Sequence, residues 1–280
     1  MSQYDQAEKF GKSIIHHGPF NNRIYVMKYH QDDHPGLISQ LEDLARQKKY
    51  SKIFLKVPST FFSDIQAMGY RVEAMIPEYY QGRENMMFMS KFLRPEREID
   101  PEAEEIKKNL DLALVKRQSA SKKLPESPFE CLLELSDEHT EAMAQLYKLV
   151  FPSYPFPIYD PDYLQQTMRE NHRYFGIYQD GILIALASCE IYKDAQAVEM
   201  TDFATHFDYR GKGTASFLLN KMEIEMREAG MKLFYTIARA ASPGMNITFS
   251  RNGYRYGGCL IQNTNISGRI ESMNVWFKRA

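Results

Sequence analysis

The sequence predicts an α/β fold in which one mixed β-sheet carries helices on both faces. The C-terminal part supplies the clearest evidence, because short alternating or apolar segments typical of strands recur between segments of helical period. Their order is β-α-α-β-β-β-α-β-α-β-β. Successive strands joined by tight turns, together with strands separated by helices, predict parallel and antiparallel pairing in the same sheet.

A charged stretch divides the 280 residues into two domains. It is the most charged and least apolar part of the chain and has prolines near both ends. We therefore predict a solvated linker over residues 95–127, with one short helix over about 101–114. It separates an N-terminal domain, 1–94, from a C-terminal domain, 128–280, and both have the size of ordinary domains.

Local signals define the C-terminal elements. Ser136 is a typical N-cap before a helix that runs to about Val150, and the pair Asp180-Gly181 has the composition of a hairpin turn. Gly230 and Gly253 each follow a helix, where a left-handed residue is expected. The predicted strands are 129–135, 173–178, 182–191, 197–205, 232–238, 254–260 and 272–278. A second helix ends near Glu170, and two more cover 215–228 and 246–251.

The N-terminal domain is predicted to follow a shorter version of the same plan. Its predicted strands are 23–29, 52–57, 72–77 and 86–92, and its predicted helices are 35–49 and 59–68. In both domains a helix is followed by a Gly-Tyr pair and then by two strands. This pattern indicates a degenerate half-copy of the C-terminal fold, and an unrelated α/β cap is the alternative.

Composition and charge exclude several classes of protein. The net charge of −1 gives no field that would attract nucleic acid or an anionic membrane. The N-terminus has no apolar signal segment, and the longest apolar stretch is too short to span a bilayer. Three widely spaced cysteines predict neither a disulfide framework nor a zinc site. His30 and His34 lie in a loop of the N-terminal domain, and we predict no metal. A cytoplasmic protein is expected.

The chemistry is predicted to lie in the loop from Thr205 to Ala215, between a strand and a long helix. Gly211 and Gly213 allow a tight turn that presents successive backbone N–H groups to one anion. These donors continue into the unpaired N–H groups of the first helical turn, at Thr214 and Ala215. Arg210 and Lys212 add positive charge. The loop therefore predicts a pyrophosphate-binding site.

Neither of the common nucleotide motifs, GxxxxGK[ST] and GxGxxG, fits this loop. The run Arg210-Gly-Lys-Gly-Thr-Ala215 instead resembles the acetyl-CoA signature of the GNAT superfamily. The ending Phe249-Ser-Arg-Asn-Gly253-Tyr254 also resembles that superfamily. The resemblance covers residues 129–280. It implies a GNAT acyl-CoA N-acyltransferase fold, acetyl-CoA as co-substrate, and binding of the cofactor by Phe203 and Thr205, the glycine loop, Asn246 and Phe249.

Acetylation of an amine requires a base, because an alkylammonium has a pKa near ~10.4 and the nucleophile must be neutral. Glu199 and Asp202 lie on the strand that precedes the loop. Strand alternation predicts that Glu199 shares a face with Phe203 and Thr205, whereas Asp202 points away unless a bulge intervenes. We therefore predict Glu199 as the base and Asp202 as the second candidate. Phe249 stands where many GNAT enzymes have a tyrosine acid.

The C-terminal segment 257–278 resembles the tail of the beta-lysine N-acetyltransferase family, as do Glu199-Met-Thr-Asp202-Phe-Ala-Thr205 and the two-part architecture. This resemblance implies acetylation of the terminal amine of (3S)-3,6-diaminohexanoate. Such an acceptor needs a cation for its carboxylate, for which Arg269 or Arg251 is available. It also needs an acidic or aromatic site for its 3-ammonium. The candidates for the ammonium are Glu190, Asp202, Tyr154 and Tyr159, and Asn263 and Asn265 are candidate hydrogen-bonding groups.

Other functions stay open at this point. The acceptor could be a polyamine, another small amine or a protein lysine, and a CoA-binding regulator without turnover would share the same loop. The N-terminal domain could cover the amine pocket or form a homodimer contact.

Overall fold

In the computed structural model, residues 4–118 and 131–280 are described. The N-terminal elements are β1 Gln6–Phe10, β2 Ser13–Gly18, β3 Arg23–Lys28, α1 Gly36–Lys48, β4 Lys52–Pro58, α2 Phe62–Ala67, β5 Arg71–Tyr80 and β6 Glu84–Phe92. Helix α3, Ala103–Gln118, follows. The C-terminal elements are β7 Cys131–Leu135, α4 Thr140–Val150, α5 Pro161–Glu170, β8 His172–Gln179, β9 Ile182–Tyr192, β10 Ala197–Thr205, α6 Thr214–Glu228, β11 Leu233–Arg239, α7 Pro243–Arg251, β12 Arg255–Ile266 and β13 Arg269–Arg279.

The strands form one mixed sheet in the order β1-β2-β3-β4-β6-β5-β12-β13-β11-β10-β9-β8-β7. The pairs β3–β4 and β10–β11 are parallel, and the other pairs are antiparallel. The prediction of a mixed sheet is therefore confirmed, and the elements of residues 131–280 follow the predicted order. Strands β1 and β2 were missed, because their polar N-terminal sequence gives little apolar signal.

The two parts of the chain have the same strand order. The series β1-β2-β3-β4-β6-β5 corresponds to β8-β9-β10-β11-β13-β12, with the parallel pair at the same place and a helix after each parallel strand. The equivalent strands β5 and β12 pair with each other in antiparallel orientation. We call residues 4–92 the N-half and residues 131–280 the C-half. The halves are thus related by an approximate two-fold arrangement within one sheet.

A common core joins the halves. One buried cluster contains Tyr25, Phe54 and Phe88 of the N-half together with Tyr147 and Tyr235 of the C-half. We call the sheet face that lines this cluster the inner face. A second cluster packs α6 and α7 against the outer face of the C-half, and a third packs α1 against the N-half. The predicted division at 94 and 128 stays a prediction, and residue 128 lies outside the described part.

Helix α3 differs from the solvated linker helix that the charge pattern predicts. Ala113 is fully buried and Leu110 is partly buried in the outer-face cluster of the C-half. These two positions lie three apart and so face the same side of the helix. The charged residues therefore form the exposed side of a helix whose other side packs against the C-half.

The hairpin β12–β13 is longer than predicted. The segment 261–271 between the two last predicted strands was predicted to be a loop, yet β12 continues to Ile266 and β13 begins at Arg269, which leaves a turn at Ser267 and Gly268. Its polar residues pair with the N-half rather than with solvent: Asn265 donates its backbone N–H to Asn21 Oδ1 at 2.7 Å and its side-chain amide to Phe20 O at 2.8 Å. Tertiary partners thus extend strands that have weak local signals.

Candidate active site

Strands β10 and β11 separate soon after they begin. They pair at three positions, from Ala197–Leu233 to Glu199–Tyr235, although β10 is nine residues long. Beyond Glu199 the two strands diverge, and a cavity of about 700 Å³ opens along them. It extends between the α4–α5 segment, the glycine loop and α7. We call this opening the splay.

A bulge in β10 reorients its side chains. The register against β9 shifts between Thr201 and Ala204, and Asp202 has a left-handed φ of 56°. Glu199 and Asp202 therefore both face the inner side, whereas Phe203 turns to the outer face and contacts Phe249, with 5.5 Å between ring centroids. The predicted shared face of Glu199, Phe203 and Thr205 is wrong, because the inserted residue inverts the alternation.

The glycine loop has the backbone geometry of an anion site. Gly211 and Gly213 have φ values of 76° and 82°, which glycine adopts without steric penalty. Helix α6 begins at Thr214 with no side chain capping its first N–H groups. The Thr214 hydroxyl instead donates to Tyr209 O at 2.9 Å. The helix N-terminus is therefore left with donors for a phosphate group.

Most of the predicted cofactor residues line the cavity. These are Phe203, Thr205, Arg210, Gly211, Gly213, Thr214, Ala215 and Phe249. Lys212 does not line it; its ammonium lies 4.8 Å from the ring centroid of Tyr209. The Phe249 ring is buried between Phe203 and Tyr254, so it supplies an apolar wall and no proton.

Asn246 has a different position from the one predicted. It is fully buried, its amide donates to Arg239 O at 2.9 Å and Ser242 O at 2.7 Å, and its carbonyl accepts from Asn274 and Trp276. These four bonds satisfy both N–H donors and both acceptor positions of the side-chain amide. Asn246 thus fixes the start of α7 and does not line the cavity.

Glu199 lies where the strands begin to separate. It is 9% exposed and sits opposite Glu190 on β9. Burial, followed by the negative charge of Glu190, raises the pKa of Glu199 to about 7, while the cation of Lys56 acts in the opposite direction. A carboxyl group with this pKa exchanges a proton readily near neutral pH.

Lys56 comes from β4 of the N-half. Its ammonium donates to Tyr235 Oη at 3.1 Å and lies 4.2 Å from the ring centroid of Tyr192. Burial lowers the pKa of Lys56, and the charges of Glu199 and Glu190 oppose that effect. Sequence analysis missed this residue, because a lysine inside an apolar strand carries no local sign of a contact with the other half.

Asp202 and Tyr154 meet at the cavity wall. Asp202 accepts a hydrogen bond from Tyr154 Oη and another from Ser188 Oγ at 2.6 Å. Burial, and then the charge of Asp202, raises the pKa of Tyr154 far above its usual value. The hydroxyl of Tyr154 is therefore kept protonated, and Asp202 is an oriented carboxylate facing the cavity.

The other predicted acceptor residues do not line the cavity. Glu190 accepts from Tyr192 Oη at 2.7 Å, and Tyr159 donates to Phe151 O at 2.8 Å. Asn263 is 2% exposed, and its backbone carbonyl accepts from Arg23 of the N-half. Arg269 forms ion pairs with Glu102 and Glu271. Asn263, Asn265 and Arg269 thus connect the hairpin to the N-half and to the segment before α3.

Arg251 and Arg239 both line the cavity. Arg251 is the last residue of α7 and is exposed. Arg239 is the last residue of β11 and faces the inner side, opposite Met273 on β13. Sequence analysis did not select Arg239, since a charged residue at a strand end is ordinarily a surface residue.

Comparison with known proteins agrees with this geometry. Residues 140–253 match the model of the acetyltransferase (GNAT) family, a range that includes the splayed strands and the glycine loop. The chain is 38% identical to the beta-lysine N(6)-acetyltransferase of Methanococcus maripaludis over 95% of this chain and 96% of that one. It is 32% identical to the enzyme of the same name from Methanosarcina mazei, over 84% and 94% of the two chains. N-acetyltransferase YodP of Bacillus subtilis is 29% identical over 95% and 96%.

The fold, the loop and the family match define an acetyl-CoA-dependent N-acetyltransferase of the GNAT type. The similarity to relatives extends through the N-half as well as the catalytic half. The chain belongs to the family of the beta-lysine N(6)-acetyltransferases. Within the described residues no helix is long and apolar enough to cross a membrane. The same residues contain no group of three or more side chains suited to a metal ion.

Proposed function

We propose that this protein acetylates the terminal amine of beta-lysine, (3S)-3,6-diaminohexanoate, to give N6-acetyl-beta-lysine. Two relatives that match almost their whole length carry this activity in their names. The observation that carries the proposal in the structure is the carboxylate pair of buried Glu199 and partly buried Glu190, which lies outside the cavity lining at the closed end of the splay, next to a cavity that leads from the glycine loop. Carboxylates among tyrosines form a favourable site for an aliphatic ammonium.

In the proposed reaction Glu199 takes a proton from the terminal ammonium, directly or through water. The neutral nitrogen then attacks the thioester carbonyl, so a C–N bond forms, the C–S bond breaks, and the nitrogen loses its second proton to solvent or to the departing thiolate. CoA leaves as a thiolate, whose reference pKa near ~8.5 makes it a good leaving group even with Phe249 in place of an acidic tyrosine. The amides at Gly211, Gly213 and the start of α6 hold the pyrophosphate.

Asp202 is the second candidate base. Its position on the cavity wall suits it better to hold the acceptor's 3-ammonium, because hydrogen bonds from Tyr154 and Ser188 fix the orientation of its carboxylate. The proposal therefore gives Glu199 the proton transfer and Asp202 the second ammonium. A cytoplasmic location and a homodimer stay predictions.

A thiol-release assay with acetyl-CoA tests the substrate. We expect the highest kcat/KM with beta-lysine and lower values with alpha-lysine and with spermidine, because spermidine has no carboxylate. Mass spectrometry of the product should place the acetyl group on N6. Equal turnover of spermidine and beta-lysine would favour a polyamine acetyltransferase. Intact acetyl-CoA across a broad amine panel would favour a CoA-binding regulator.

A further inference from the structure

We propose that Arg239 binds the carboxylate of the acceptor and so makes the enzyme select an amino acid over a simple diamine. This inference rests on the proposed function, since it requires an acceptor that has both an amine and a carboxylate. It assigns the anion-binding role to Arg239 and not to Arg269, which does not line the cavity.

The position of Arg239 in β11 directs it toward the acceptor side. In this strand Leu233, Tyr235 and Ile237 belong to the inner-face core, whereas Phe234 and Ala238 pack on the outer face. Strand alternation therefore places the Arg239 side chain on the inner side. Arg210 belongs to the glycine loop, where the cofactor's phosphates are expected, and Arg251 is exposed at the C-terminal end of α7.

Glu271 fixes the orientation of the guanidinium. Arg239 Nε and Nη2 donate to the two carboxylate oxygens of Glu271 at 2.8 and 2.7 Å, which is a bidentate contact. Glu271 itself is buried, and Arg269 also donates to it at 3.2 Å. Among the described residues no side chain pairs with the remaining guanidinium edge, and the Arg239 side chain is 30% exposed. An arginine held rigidly on one edge loses little entropy when the other edge binds a carboxylate.

The spacing along β11 suits an acceptor with charges at both ends. Tyr235 pairs with Glu199, and Arg239 lies four residues further along the strand. At about 3.3 Å per residue this interval is about 13 Å, which an extended six-carbon amino acid spans with one contact at each end. Asp202 lies on the facing strand and lines the same cavity. The ammonium groups of the acceptor thus face carboxylates of the protein, and its carboxylate faces Arg239.

The test compares beta-lysine with its carboxamide, which has the same shape and amines but no negative charge. Wild-type enzyme should favour the acid. In Arg239→Met we expect the KM for beta-lysine to rise about 10–100-fold, the range for losing a charged hydrogen-bonded contact. The KM for the carboxamide should change less than about 3-fold, and the KM for acetyl-CoA should stay the same.

Arg269→Met is the matched control. It removes the other arginine that contacts Glu271 but leaves the cavity wall intact, so the preference for the acid should persist. Arg239→Lys keeps the charge and loses the planar fork, so it should reduce the preference partly, and it covers the case in which Arg239→Met does not fold.

The outcomes separate this inference from the proposed function. If wild-type enzyme does not acetylate beta-lysine, the proposed function is wrong. If it does, and both Arg239 variants retain the wild-type preference for acid over carboxamide, Arg239 does not bind the acceptor carboxylate. A rise in the KM for acetyl-CoA, with acid and carboxamide affected equally, would place Arg239 in the cofactor site and would also overturn the inference.

Discussion

The two halves share their strand order but differ in the loop that follows the first parallel strand. Each loop opens with a short 3₁₀ turn in which a histidine Nδ1 accepts an N–H two residues later: His30 from Asp32 at 3.2 Å, and His206 from Asp208 at 3.3 Å. After this common start the loops diverge. The loop of the C-half continues as Arg-Gly-Lys-Gly into α6. The loop of the N-half continues as Asp-His-Pro-Gly into α1.

The N-half loop is occupied by its own carboxylate. Asp33 accepts from the backbone N–H groups of Lys12 and Ser13, at 3.0 and 2.7 Å, and from the Ser13 hydroxyl at 2.6 Å. An acidic residue at this place repels phosphate, whereas Arg210 and Lys212 attract it. The same topology therefore supports a cofactor site in one half and an internally paired loop in the other.

The parallel strands also differ. In the N-half, β3 pairs with β4 at four of its six residues, and in the C-half β10 pairs with β11 at three of nine. Counted from the first pair, Tyr25 stands where Glu199 stands in the C-half. The strand order is therefore common to both halves and does not by itself form a binding site. The separation of β10 from β11, the bulge in β10 and the two loop glycines form the site in the C-half.

The largest effect is expected at Glu199. Glu199→Gln removes the base that the N-half lacks at the equivalent position and should lower kcat about 10²–10⁴-fold, with little change in the KM for acetyl-CoA. Steady-state kinetics with beta-lysine measures both constants. Tyr25→Phe is the counterpart control in the N-half, and it should leave kcat within a few-fold of wild type. Unchanged turnover in Glu199→Gln would remove Glu199 from its role.

The junction of the halves should be the next most sensitive place. Lys52 and Glu73 form an ion pair at 2.7 Å with both side chains almost completely buried, and Lys52 also donates to Ile261 O of the C-half. Lys52→Met leaves a buried carboxylate unpaired and should cost about 3–5 kcal/mol in the free energy of unfolding. Urea denaturation measures the change. Lys91→Met, at a partly exposed pair with Glu42, should cost less than about 1 kcal/mol.

The glycine loop offers a direct test of the difference in cofactor binding. Gly213→Ala puts a side chain on a residue with φ of 82°, at a cost of about 1–2 kcal/mol that shifts the N–H groups of the loop. We expect the Kd for CoA, measured by calorimetry, to rise about 5–30-fold. Gly36→Ala, at the start of α1 in the N-half, has room for the added carbon and should leave the Kd unchanged. Equal Kd values in the two variants would contradict the assignment of the loop.

The smallest expected effect is a shift in the pH dependence of activity. It depends on the pKa of Glu199, on which Lys56 of the N-half acts. A base must be ionised, so kcat/KM should fall as the pH drops below about 7. Lys56 favours the ionised form, and Lys56→Met should therefore raise the pKa and move this acid limb to higher pH by about 1 unit. Glu190→Gln removes a like charge and should move the limb to lower pH. A change in packing alone would not produce opposite shifts. Identical limbs in both variants would show that Lys56 and Glu190 do not control the base.

Much of the fold could be predicted from sequence, because its signals are local. Strand β10 was predicted with the bounds that the structure has, and α6 within one residue, since both have clear periodicity and α6 also has glycines near both ends. The glycine loop was predictable for the same reason: consecutive residues form it. Longer strands such as β12 and β13 were underestimated, because their polar ends are stabilised by partners from the other half.

The candidate acceptor residues divide in the same way. Glu199 was found from its place in a strand, whereas Asn263, Asn265 and Arg269 were selected as polar residues in an apparent loop and instead contact distant segments. Lys56 and Arg239 were missed because their relevance depends on the curvature of the sheet and on the spread of two strands. No spacing along the chain reveals which charges meet across a shared core.

The sequence by itself determined the mixed sheet, the pyrophosphate loop and the presence of a carboxylate where the strands separate, because each is specified by residues close together in the chain. The tertiary structure decided which face Asp202 presents, since a bulge inverts strand alternation. It also decided that β4 of the N-half places Lys56 beside the base and that Arg239 lines the cavity. These properties arise from packing between distant segments, where burial and neighbouring charge set the chemistry of a side chain.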